Sequence, residues 1–256
     1  MRGLQGKRIV IAGGATGIGA AAAERLAAEG AAVAVGDVNF PAAQDTASRI
    51  TAAGGRAIAI EFDLADEKSV QSLADLAAAG LGGVDGLYNV GADLSAGTLG
   101  RDADLLDMDP AVWRRTLEVN LLGYALTCRA VIPLLLSQGG GVIVNTSSGA
   151  AFGGEPTRPA YAASKAGINA LTRHIASRWG KEGIRCNGVM PGLVMGQTQR
   201  EQGDTELQAI ALQYARSPRL GEPADLAAAV TFLFSDDAAW VSGQVWSVDG
   251  GMSLRD

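Results

Sequence analysis

Residues 8–26 read RIVIAGGATGIGAAAAERL, and the way they divide decides the fold. Arg8–Ala12 is a short β-branched run, long enough for a strand and too short for a helix. Gly13, Gly17 and Gly19 follow at once, and from position 17 alanine and leucine recur with the spacing of a packed helix. A strand entering a helix through a glycine-rich turn opens a βαβ unit. There Gly13 permits the tight turn, Gly17 and Gly19 let backbone and helix approach, and the helix N-terminus offers unpaired N–H groups to a pyrophosphate. The spacing is G-x-x-x-G-x-G rather than G-x-G-x-x-G, and a glycine turn by itself has many structural uses. Its place between the first strand and the first helix favours a dinucleotide site.

The same alternation runs to the C-terminus. Strands are expected at 8–12, 32–36, 57–62, 86–89, 141–146, 185–190 and 244–248, and helices at 17–29, 42–53, 66–79, 110–136, 160–180 and 224–234. Most strand candidates are continuously apolar, as strands covered on both faces must be. Asp109–Pro110 and Glu222–Pro223 give helix starts, and Gly30 ends the first helix. The expected fold is α/β: a doubly wound, Rossmann-type, seven-stranded parallel sheet with helices on both faces in three layers. No linker or repeat divides the chain, so 1–256 are expected to form one dinucleotide-binding domain, with 193–219 as a substrate lid.

Composition narrows the function. A hydrophobic fraction of 48% with 19% charged residues suits a globular protein, and net charge −6 without a basic run argues against nucleic acid. Cys128 and Cys186 are the only cysteines and have no metal-ligand spacing, so buried thiols in a reducing compartment and no metal are expected. The N-terminal stretch lacks the apolar core of a signal peptide, and Pro133 interrupts the greasiest run, 130–136. A cytoplasmic protein without membrane or nucleic-acid partners is the expectation.

Asp37 closes the second strand, twenty residues after Gly17. A carboxylate there accepts from both adenosine-ribose hydroxyls and repels a 2′-phosphate. Neither Thr16 nor Val38 supplies a cation for such a phosphate, so NAD is favoured over NADP. A solvated loop aspartate is the plain alternative. Asp63, after the third strand, has two uses: accepting from the adenine amino group, or capping the helix that starts near Asp66. In the stretch AYAASK, Tyr161 and Lys165 share one helix face at i and i+4. A nearby ammonium favours a phenolate, and lowering a phenol by about three units needs ~4 kcal/mol. Such a phenolate can take a hydroxyl proton as hydride leaves the carbon. His174, nine residues past Lys165, falls on the opposite side of that helix and reads as structural.

Together these features resemble the short-chain dehydrogenase/reductase family over nearly the whole chain. The carriers are the glycine loop at 13–19, VNL with Asn120, IVNTSS with Ser148, YAASK, IRCNGVMPGLV at 184–194 and VSGQVWSVDGG at 241–251. The resemblance implies an NAD-dependent enzyme moving hydride between the cofactor and a secondary alcohol or ketone. By it, Tyr161 is the general acid/base, Lys165 lowers its pKa and binds the nicotinamide ribose, and Ser148 holds the substrate oxygen. Asn120 positions a water between Lys165 and solvent; a helix-bulge or core role is its alternative, as a loop hydroxyl is for Ser148. Thr16, Ile18, Val38, Leu64, Asn89, Val90 and Gly91 take cofactor-facing positions, and Pro191, Gly192 and Val194 hold the carboxamide. Pairing through 110–136 and 160–180 into a homotetramer or homodimer is implied. An NADPH-dependent ketone reductase is the second reading, which Asp37 opposes; a non-catalytic dinucleotide sensor is the third, which the intact catalytic set opposes.

The chain departs from the family's pattern in three places. Ala12 replaces a Thr or Ser, Tyr88-Asn89-Val90-Gly91 replaces Asn-Asn-Ala-Gly, and Gly196 replaces a Thr for which Thr198 is the nearest substitute. The first two are expected to compensate, exchanging a polar contact for apolar packing. The segments 93–106, 149–158 and 193–219 should line the substrate pocket, with Met195, Leu207, Ile210 and Tyr214 as apolar and Glu155, Arg158 and Arg200 as charged candidates. A secondary alcohol of small to medium size, cyclic or open-chain, is the expectation, and no arrangement of these residues decides which. Ala12→Thr is expected to lower stability in urea unfolding; a gain above about 1 kcal/mol contradicts the compensation.

Overall fold

The computed structural model describes residues 1–196 and 205–254. Seven parallel strands, β1 (Arg8–Ala12), β2 (Ala32–Asp37), β3 (Arg56–Glu61), β4 (Gly86–Asn89), β5 (Gly141–Thr146), β6 (Ile184–Pro191) and β7 (Val245–Val248), lie in the order β3-β2-β1-β4-β5-β6-β7. The helices are α1 (Gly17–Ala28), α2 (Phe40–Ala52), α3 (Glu67–Leu81), α4 (Pro110–Leu117), α5 (Gly123–Ser137), α6 (Ala150–Gly153), α7 (Pro159–Trp179), α8 (Thr205–Tyr214) and α9 (Pro223–Phe234).

Successive strand residues point to opposite faces, which builds two cores. Ile9, Ile11, Val33, Val35 and Val144 pack under α1 and α9, with Leu26, Val230 and Phe234. Val10, Ala34, Leu87 and Ile143 pack under α3, α5 and α7, with Leu73, Leu135 and Ile168. This is the doubly wound three-layer sandwich. The strand order reverses direction between β1 and β4, and ligands of such sheets bind at the carboxyl ends beside that reversal. Ala12 pairs with both Gly36 and Asn89, which brings Gly13, Asp37 and Val90 to one end.

Helix starts follow local chemistry. Asp66 accepts from the Lys68 N–H at 2.9 Å, Asp109 from the Ala111 N–H at 2.8 Å, and Asp225 closes back on the Glu222 N–H at 2.8 Å. Asn39 caps α2 with Pro41 in its first turn, so that helix begins at Phe40, ahead of the expected 42. The helix expected over 110–136 carries a π turn, Glu118–Leu122, between α4 and α5. The short α6 was not expected, and the amphipathic part of the proposed lid forms α8. Thr198 and Arg200 lie outside the described residues, as do the side chains of Leu207 and Ile210.

Pro133 does not end α5. It is exposed, and so is Arg129, whose carbonyl the missing N–H leaves free for water. Pro133 thus does not break the apolar stretch: Pro110–Ser137 is a 28-residue helix with a mean hydropathy of 1.7 in its most apolar window, a length and composition that a core helix also reaches. Over half of that window, 56%, is buried within the protein, against α3 and the sheet.

A polar ladder crosses the second core. Thr127 Oγ1 donates to Asn89 Oδ1 at 2.7 Å, Asn89 Nδ2 to Asn145 Oδ1 at 3.0 Å, and Asn145 Nδ2 to Thr172 Oγ1 at 3.0 Å. Asn89 thus has partners without a hydroxyl at position 12, its register neighbour. Ala12 and Tyr88 sit in cores on opposite faces, and the two segments meet at the Ala12–Asn89 pair. Tyr88 takes a hydrogen bond from Thr146 at 3.1 Å. Asn145→Ala takes one partner each from the buried Asn89 amide and the buried Thr172 hydroxyl and leaves a cavity between them, and should lower the free energy of urea unfolding by about 2–4 kcal/mol.

Candidate active site

The glycine loop is shaped by backbone contact. A Cβ on Gly13 (φ +103°) would overlap the Gly91 amide nitrogen, and one on Gly19 would overlap the Gly13 carbonyl oxygen. The ends of β1 and β4 and the start of α1 therefore touch as only glycine allows. Gly17 (φ +54°) faces open space. Thr16, the N-cap of α1, makes no side-chain cap bond, which leaves the first N–H groups turned to the cleft without a side-chain acceptor.

A cleft of about 720 Å³ runs from this loop along the carboxyl ends of the strands. Gly13, Thr16, Gly17, Ile18, Gly19, Asp37, Val38, Asp63, Leu64, Val90, Gly91 and Val194 all line it. Asp37 is held by the N–H groups of Ala15 and Asn39, each at 3.0 Å. Asp63 accepts from the Ala65 N–H at 2.8 Å, and the cap of α3 is Asp66, so the capping alternative for Asp63 fails. Asn89 lies in the buried ladder and Pro191 ends β6, both off the cleft wall; Gly192 lines a neighbouring hollow against Asp249. Asp93, from the expected lining segment 93–106, stands on the wall, and sequence reasoning missed Arg115, which bonds it there at 3.3 Å. Nothing local to Arg115 marks it, because the two meet only in the fold.

Tyr161 and Lys165 face β5 from the start of α7. Lys165 is buried, and its Nζ donates to the Thr146 carbonyl at 2.9 Å and lies 5.6 Å from the Tyr161 ring centre. Tyr124, also missed, has its ring centre 5.4 Å from the same Nζ and a buried hydroxyl without a partner. Ser148 lies close enough to the Tyr161 phenol to favour its ionised form. Asn120 stands in the π turn; its Oδ1 accepts from the Asp93 N–H at 2.9 Å, and its buried Nδ2 has no partner.

The electrostatics differ from expectation in one respect. Burial pushes the Tyr161 phenol above its ordinary value; Ser148 and the charge of Arg158 oppose this, and Glu155 adds to it. Lys165 does not reverse the balance, because burial drives its own ammonium down to about 7. Among the described residues no carboxylate pairs with it. The chain by itself thus keeps the phenol protonated.

Other titratable groups lie apart. His174 is exposed and packs edge-on against Trp179, with ring centres 5.8 Å apart. Both cysteines are free and buried, and burial raises Cys128 to about 12. Among the described residues no group of three His, Cys, Asp or Glu side chains is placed to hold a metal.

Fold and site define a nicotinamide-dependent oxidoreductase acting on CH–OH groups. The comparisons with known proteins carry the assignment further. The family profile described as enoyl-(acyl carrier protein) reductase matches residues 13–253. A probable short-chain type dehydrogenase/reductase of Bradyrhizobium diazoefficiens is 40% identical over 97% of this chain and 88% of its own. The cis-4-hydroxycyclohexanecarboxylate dehydrogenase of Sinomonas cyclohexanicum is 40% identical over 94% of both chains. The solved structure of a 7α-hydroxysteroid dehydrogenase with NADH and 7-oxo glycochenodeoxycholic acid superposes with a TM-score of 0.90 at 36% identity, covering 98% of this chain and 97% of that one. The chain belongs to the short-chain dehydrogenase/reductase family, and it transfers hydride between a nicotinamide cofactor and a secondary alcohol or ketone.

The buried amine predicts a pH dependence. Folded Lys165 releases its proton near 7 and the unfolded chain near 10.5, so between these values the unfolded state binds more protons and folding is favoured as pH rises. Relative to Lys165→Met, the wild type should gain about 1.4 kcal/mol per pH unit inside that window in urea titrations. A difference that stays flat from about pH 7 to pH 10 contradicts the burial of an unpaired amine.

Proposed function

We propose that the protein is an NAD-dependent dehydrogenase of cyclic secondary alcohols, with Tyr161 as general acid/base. The observation that carries the reading is the Tyr161 phenol beside Ser148, with the buried Lys165 amine 5.6 Å from its ring centre. In alcohol oxidation Ser148 holds the substrate oxygen, and Tyr161 takes its proton as the carbon loses hydride. Lys165, fixed on the Thr146 carbonyl, keeps its N–H donors near the phenol and reaches the nicotinamide ribose. The free Nδ2 of Asn120 holds a water that passes the proton outward.

The residues present fit a dinucleotide. The first N–H groups of α1 face the cleft, Gly17 leaves room for a pyrophosphate, and Asp37 is fixed by two backbone donors with acceptor capacity left for ribose hydroxyls. Bound NAD⁺ supplies the hydride acceptor and a positive charge beside the phenol, which the chain alone leaves protonated. Asp37 and the uncharged Thr16 and Val38 support NAD over NADP. Pro191 and Gly192 complete the carboxamide end together with Val194.

A cyclic substrate is supported by the names of two relatives, which act on a hydroxycyclohexane acid and a hydroxysteroid. Residues 193–219 serve as the lid over it, within a single domain spanning 1–256. The protein works in the cytoplasm as a homotetramer or homodimer. Leu122 and Leu136, exposed on the apolar Pro110–Ser137 helix, support pairing there.

NADH formation from cyclohexanol, cis-4-hydroxycyclohexanecarboxylate and a 7α-hydroxy bile acid tests the reading. At least one should be oxidised, with kcat/KM for NAD⁺ above that for NADP⁺ by about tenfold or more, and Asp37→Ser should shrink that ratio. A preference for NADP⁺ sinks the role of Asp37, and inertness toward all three sinks the cyclic alcohol.

A further inference from the structure

We propose that Asp102 is the positioning residue of Tyr161: its buried carboxylate closes the N-terminus of α7 from the loop after β4 and sets where the phenol stands. The proposal rests on Tyr161 being the acid/base.

The first turn of α7 has no local cap. Its N-cap is Arg158, whose side chain makes no cap bond and pairs with Glu155 at 2.5 Å instead. Arg158 is also the one non-glycine residue with positive φ (64°) among the described residues, a conformation that persists only when its surroundings impose it. Pro159 has no N–H to satisfy. The next two donors both go to Asp102, Ala160 N–H to Oδ1 at 3.2 Å and Tyr161 N–H to Oδ2 at 2.8 Å. Ala162 N–H then makes the first ordinary helical bond, to the Arg158 carbonyl at 3.0 Å. Asp102 therefore accounts for every free donor ahead of that bond.

Asp102 is 5% exposed, and its own carbonyl accepts from the Arg158 N–H at 2.9 Å, so the strained residue is held from both sides. A carboxylate at a helix N-terminus faces the positive end of the dipole and makes charge-assisted bonds. The rest of α7 is anchored independently. Lys165 is tied to Thr146, Ser147 Oγ donates to the Lys165 carbonyl at 3.3 Å, and Thr172 belongs to the asparagine ladder. Losing Asp102 should loosen residues 159–161 while α7 stays seated. The same loop begins at Asp93, whose N–H orients Asn120, so one segment holds two of the proposed catalytic groups.

The test uses Asp102→Ala and Asp102→Asn, each alone and combined with Tyr161→Phe, on the fastest alcohol of the panel above with NAD⁺. Asp102→Ala should lower kcat by about ten- to a hundredfold, with KM and NADH affinity within about threefold. Asp102→Asn should recover part of the loss, because its amide oxygen still accepts one N–H. In the Tyr161→Phe background neither change should lower the residual rate further. Amide exchange at Ala160 and Tyr161 should quicken by about tenfold or more in Asp102→Ala, while residues 168–179 stay protected. If Asp102→Ala does not fold, Asp102→Asn carries the same comparisons with a smaller loss. A kcat within about twofold of wild type, or an equal loss in both backgrounds, overturns the proposal. An active Tyr161→Phe enzyme overturns the acid/base reading and this proposal together; an inactive one beside an unimpaired Asp102→Ala overturns this proposal alone.

Discussion

A lysine amine is held under the carboxyl end of β5 with a backbone carbonyl as its hydrogen-bond partner and, among the described residues, no carboxylate paired with it. Burying a charge that way is unfavourable, and it persists because everything around the amine is fixed independently. The asparagine ladder ties β4, β5 and α7 together, and Ser147 bonds the Lys165 carbonyl. The amine and the phenol above it are thus placed by the fold before any ligand arrives. The same burial explains why neither group is charged readily in the chain alone: low polarity raises the phenol and lowers the amine.

The position of the site follows from the reversal of strand order between β1 and β4. Backbone contact at Gly13, Gly19 and Gly91 draws two strand ends and a helix start together, and the cleft opens beside that contact. Asp37 and Val194 both line the cleft, while the amine and phenol sit on α7 against β5. A deep cradle for a dinucleotide and a proton donor on a rigid helix therefore arise from one topology.

What could be read from residues was local. The strand runs, the glycine turn and the Asp-Pro and Glu-Pro helix starts act through neighbours in sequence, and the elements formed within a few residues of their expected bounds. What escaped depends on contacts between distant segments. The cap of α7 comes from a loop aspartate 59 positions before Tyr161. The bulge at Asn120 is legible only as an alternative, because the helical pattern around the π turn shows no break. Asp66 rather than Asp63 caps α3, a choice between two nearby carboxylates that spacing leaves open. Ala12 and Tyr88, on neighbouring strands, serve opposite faces of the sheet, which only the register between β1 and β4 reveals. Burial likewise reversed the expected direction at Tyr161, because position alone does not reveal how far a side chain is removed from water.

The central claim is that the phenol of Tyr161 moves the proton while the rest of the site binds and orients. The direct measurement is NADH affinity and alcohol turnover for Tyr161→Phe beside the wild type. The account predicts NADH binding within about threefold and turnover lower by about a hundredfold or more, and retention of more than about a tenth of the activity would contradict it.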